Sequence, residues 1–103
     1  SFEDVKEKFG SSDVSESHNA IFCCDEKDKM IPFLISKLDF KDQTSWVQGE
    51  TRVNLVRRLR SLTKRYDGHD DKFIYFSNDD EIKKVKLDWD DWWNKISKTA
   101  SLN

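Results

Sequence analysis

Six cations fall within residues 52–66, a stretch that holds no acid: Arg52, Arg57, Arg58, Arg60, Lys64 and Arg65. Guanidinium groups grip carboxylates and phosphates through paired N–H donors, so such a run suits an acidic protein surface or a nucleic-acid backbone. Between the cations, Leu55, Val56, Leu59, Leu62 and Tyr66 recur at steps of three and four. That spacing predicts an amphipathic helix over Arg52–Tyr66, capped by Thr51, with its apolar stripe inward. Arg57, Arg60 and Lys64 then point outward, with Arg58 and Arg65 near the edge. The charge is segregated along the chain. Residues before 52 carry 6 Lys against 11 acids, whereas those from 52 onward carry 12 basic and 9 acidic side chains.

Other residue types that could do chemistry are more scattered. Glu81-x-Lys83 matches the pairing with which metal-dependent nucleases aim a carboxylate and a lysine at one metal ion from a strand. Cys23 and Cys24 are adjacent, with no spacer to let both thiolates reach one tetrahedral ion, and His18 and His69 fall in unrelated segments, so no metal site is expected. Asp70-Asp71 and Asp79-Asp80-Glu81 lack the alternation and the glycine of a calcium loop and read as solvated turns. Gly10, Gly49 and Gly68 are isolated, which argues against a phosphate-cradling loop. Trp89, Trp92 and Trp93 are interleaved with Asp88, Asp90 and Asp91, whose charge repels phosphate, so they read as core rather than as a base-stacking platform. Two adjacent tryptophans diverge by about 100° on a helix. Trp93 is therefore expected to be partly exposed and to serve as an interface anchor.

The elements that must position these residues follow from pattern. Ser1 caps a helix carrying Phe2, Val5 and Phe9, and Gly10 ends it. Residues 11–19 are polar and rich in serine and read as a flexible loop. The apolar run 20–24 reads as a strand. A helix begins within 28–31, placed so that Pro32 stays in its first turn. Alternating β-formers at 72–76 and 82–87, separated by Ser77-Asn78-Asp79-Asp80-Glu81, predict a hairpin over 72–87. A last helix starts at Asp88, where Asp90, Asp91, Lys95 and Lys98 all complement the helix dipole. The expected fold is α+β, a small sheet packed by three to four helices.

At 103 residues with a net charge of −2, the chain suits one domain with one modest core. Its aromatic content and balanced charges disfavour wholesale disorder, and its longest uncharged apolar run is too short to span a bilayer. Beginning at Ser1 without a Met, it reads as a domain excised from a larger protein, with two reduced cysteines in an intracellular compartment, cytoplasmic or nuclear. The expected function is a non-enzymatic protein-interaction module with no cofactor. It binds an acidic partner through Arg57, Arg58, Arg60, Lys64, Arg65 and Trp93. The alternative is a nucleic-acid-binding domain using the same helix, and a weaker alternative is a metal-dependent nuclease or small hydrolase.

Overall fold

The computed structural model describes the backbone of residues 1–102 and the side chains of residues 1–98. It contains six helices in the order α1 Phe2–Lys8, α2 Val14–Ile21, α3 Lys27–Ser36, α4 Ser45–Thr63, α5 Asp71–Tyr75 and α6 Asp79–Leu102. Among the described residues there is no strand, so the expected α+β fold, with its strand at 20–24 and hairpin at 72–87, is replaced by an all-helical one. The central element is α4, which packs against α2, α3 and α5; α1 lies on α2, and α6 lies on α3.

Each correction has a local cause. Asp13 caps α2 by accepting a hydrogen bond from the Glu16 backbone N–H at 3.1 Å, so the serine-rich segment expected as a loop starts a helix instead. Its buried residues Ser17, Ala20 and Ile21 follow helical spacing. The run at 20–24 is thus the apolar end of α2 and the turn after it. A short apolar run has no periodicity of its own with which to tell strand from helix end.

The supposed hairpin turn is a helix start. Asn78 Oδ1 accepts from the Glu81 N–H at 2.8 Å, and Glu81 Oε1 accepts from the Asn78 N–H at 3.0 Å. This reciprocal cap satisfies two backbone donors that a helix N-terminus otherwise leaves open. Beyond it Ile82, Val85 and Trp89 are all buried at steps of three and four. Before it, Asp70 caps the short α5 by accepting from the Phe73 N–H at 2.7 Å. α6 therefore begins nine residues before the expected start at Asp88, and Asp88, Asp90 and Asp91 sit in mid-helix, where the dipole does not account for them.

One buried cluster joins the helices: Val5, Ile21, Met30, Leu34, Ile35, Leu38, Leu55, Leu59, Ile74, Val85 and Trp89 are among its members. Pro32 lies in the second turn of α3 rather than its first, and the helix carries through it. α4 ends at Lys64, which adopts the left-handed conformation at φ 58° and donates its N–H to the Arg60 carbonyl at 2.8 Å. Ile96, on the same helix as Trp89, is 42% exposed.

Candidate interaction surface

A helix forms over the basic run, but it spans Ser45–Thr63 rather than Arg52–Tyr66. Thr51 therefore lies inside it, and Tyr66, expected on the inward stripe, is beyond its end and 73% exposed. Most of the cations are engaged within the molecule. Arg52 is fully buried. Its Nε donates to the Phe40 carbonyl at 2.9 Å and its Nη1 to the Ser77 carbonyl at 3.1 Å, tying the loop before α4 and the turn between α5 and α6 to that helix. Burial lowers its pKa, against the pull of Asp79 and Asp39. Arg58 also turns inward, donating through Nη2 to the Cys24 carbonyl and to Asp25 Oδ1, each at 2.7 Å. Arg65 pairs with both carboxylate oxygens of Asp88, at 3.0 and 3.1 Å, and its guanidinium lies 4.6 Å from the centre of the Trp89 ring and 5.5 Å from that of Trp92. The tryptophan faces thus hold an arginine by cation–π attraction.

Arg57 and Arg60 form a second network with the segment that follows α4. Asp71 Oδ2 accepts from Arg57 Nε and Nη2 at 2.9 and 2.7 Å, while its Oδ1 accepts from Arg60 Nη1 at 2.9 Å. Arg60 Nε donates to the buried carboxylate of Asp67 at 2.7 Å, and its Nη2 donates to the His69 carbonyl. Burial works to lower the Arg60 pKa, but the hydrogen bonds to Asp67 and Asp71 outweigh it and raise it. Partial burial works to raise the Asp71 pKa, and the hydrogen bonds from Arg57 and Arg60 carry it below the usual carboxylate value. Among the described residues Arg57 Nη1 has no partner, and 57% of the side chain is exposed. Lys64 is exposed, with no partner for its ammonium among the described residues.

Beside this network α4 and α5 enclose a surface cleft of about 510 Å³, lined by Glu50, Val53, Arg57, Lys72, Tyr75 and Phe76, with Asp71 at its edge. The close approach of the two helices rests on Gly49, where a Cβ would stand 2.8 Å from the Tyr75 ring. Tyr75 packs edge-on to Phe76 at 4.8 Å between ring centres, and Phe76 is 70% exposed. Trp46, one helical turn before Glu50 on α4, is 53% exposed. A largely exposed phenylalanine beside a half-buried tyrosine in one cleft offers apolar surface that a partner could cover. The alternation of β-formers at 72–76 predicts a strand, which would not gather Tyr75 and Phe76 at a helix–helix cleft. The cluster of four aromatic or β-branched residues at 73–76 was the available signal. Trp93, the expected anchor, is half-buried and lies elsewhere, in a shallow apolar cleft with Ile31, Trp92 and Ile96.

The remaining candidates do not converge. Glu81 and Lys83 stand two residues apart on a helix, so their side chains diverge by about 200°, and Glu81 is occupied in the α6 cap. Cys23 is exposed and Cys24 buried, both as free thiols. His18 is hydrogen-bonded to Thr51 Oγ1 at 2.9 Å, while His69 stacks on Phe73. Among the described residues no group of three His, Cys, Asp or Glu side chains is placed to hold a metal ion. Nor is any helix of the described residues long and apolar enough to cross a membrane. No protein family, curated protein or solved structure to which the chain was compared matches it.

Proposed function

We propose that the chain is a non-enzymatic protein-interaction module of an intracellular protein, and that its docking surface is the α4–α5 cleft. The reading rests on one observation: the half-exposed guanidinium of Arg57 and the ammonium of Lys72 border the same cleft as Tyr75 and Phe76. Aromatic side chains supply most of the binding energy of a typical interface, and cations at its edge select the partner. The partner segment carries an apolar anchor that covers Val53, Tyr75 and Phe76, flanked by carboxylates that meet the guanidinium of Arg57 and the ammonium of Lys72. Of the cations expected to bind it, Arg57 takes part directly and Arg60 supports it from below. Arg58 and Arg65 keep structural roles.

The test is selection from a random peptide library displayed on phage, followed by mapping the enriched peptides on the protein by amide chemical shifts. Enriched peptides should combine an aromatic or branched aliphatic residue with acidic neighbours and should shift residues 46–57 and 71–77. Replacing Phe76 with Ser should weaken them at least tenfold without changing the melting temperature, because that ring is mostly exposed. Enrichment of basic peptides, or shifts confined to other faces, would discard the reading.

A further inference from the structure

Asp71 places a carboxylate of this chain on the cations that an acidic partner would meet. It is the first residue of α5, and its two oxygens take three donors from two arginines. Its side chain is more than a third exposed, unlike that of Asp67, which is fully buried beneath the same network. α5 does not need it as an anchor. Ile74 is fully buried in the core, Tyr75 packs over Gly49, and Asp70 supplies the N-terminal cap. The carboxylate can therefore rotate away while the helix stays docked.

We propose that Asp71 is a built-in competitor, an intramolecular stand-in for the partner's carboxylate that sets the affinity of the α4–α5 surface. The inference rests on the docking reading above and deepens it by naming what regulates the site. A partner carboxylate that displaces Asp71 gains the bidentate edge of Arg57 and the Nη1 of Arg60. It must outcompete a group already held close to both. Binding energy is lost to that exchange, so removing the competitor strengthens binding. Arg60 keeps its Asp67 partner throughout, which holds the guanidinium in place for the incoming group.

The experiment measures fluorescence anisotropy of a fluorescein-labelled hexapeptide, four glutamates around a central Leu-Phe pair, against four proteins. Asp71→Ala should bind about tenfold more tightly than the parent chain, and Asp71→Glu, which restores the carboxylate, should return to the parent value. Arg57→Ala combined with Asp71→Ala should lose the gain. Melting curves confirm that each variant is folded, and a variant that is not is replaced by Asp71→Asn, which keeps the side-chain volume. Equal binding by parent and Asp71→Ala would overturn the competitor role while leaving the docking surface standing. Absence of binding by both would overturn the two readings together.

Discussion

Two arginines five positions apart on α4 show how much environment decides. Arg52 is sealed in the interior and serves two backbone carbonyls, while Arg57 lies on a half-open surface beside one carboxylate. Replacing Arg52 with Ala orphans both carbonyls. The expected cost is about 1–3 kcal/mol for each one left unsatisfied. Arg57→Ala removes a pair that is largely exposed, and such pairs contribute about 0–1 kcal/mol. Urea unfolding of the two variants should separate them clearly. Equal and small losses would show that the Phe40 and Ser77 carbonyls find water when Arg52 is gone. The composition of the basic run holds nothing that distinguishes Arg52 from Arg57. Position on the helix does: Arg52, Leu55, Val56 and Leu59 share the inward face.

Among the elements, α5 is the one whose placement is least secured by its own length. Five residues make little more than one helical turn, too short to be stable without tertiary contacts. Its position comes from Ile74 in the core, from the Tyr75 ring lying over Gly49 and from the Asp70 cap. An Ala in place of Gly inside a helix ordinarily adds about 1 kcal/mol of stability. At position 49 the opposite sign is expected, because the new methyl group would overlap the Tyr75 ring. Gly49→Ala should lower the melting temperature and speed amide exchange in 71–76. Adding Tyr75→Ala should restore the ordinary gain relative to Tyr75→Ala alone. A stabilising Gly49→Ala in the parent background would remove this contact from the account of α5. The α5 and α6 starts were both legible as caps, Asp70 before 71 and Asn78-x-x-Glu81. The β-formers between them mask both caps, because over four or five residues a period of two and a helical turn are hard to separate.

For the molecule as a whole, charge that is segregated along the sequence becomes mixed in space. Arg57, Arg58, Arg60 and Arg65 each meet an aspartate: Asp71, Asp25, Asp67 with Asp71, and Asp88. Within a chain of net charge −2, this pairing leaves little positive potential to draw a polyanion. Mixed-sequence duplex DNA is therefore expected to bind weakly near physiological salt. Its affinity should fall by about one log unit or less per log unit of salt, the slope of roughly one neutralised phosphate. A slope several times steeper, abolished by Arg57→Glu with Lys64→Glu, would instead favour the nucleic-acid alternative. The envelope measures 44 × 30 × 17 Å, and the α4–α5 cleft and the cleft holding Trp93 share no lining residue. That geometry leaves the α4–α5 face and the Trp93 face as separate surfaces.

The sequence determined the amphipathic α4, the Ser1 cap, the burial of Trp89 and the supply of cations, because each depends on local spacing or on a hydrogen bond within three or four residues. It left the number of helices, the fate of each arginine and the aromatic cleft to tertiary structure. Arg57 and Asp71 are fourteen residues apart and Arg58 and Asp25 thirty-three, so no local pattern links them. Whether a cation faces solvent, a backbone carbonyl or a carboxylate is decided only when α2, α4 and the α5 segment meet, since burial in a low-dielectric interior demands a partner for each charge that packing encloses.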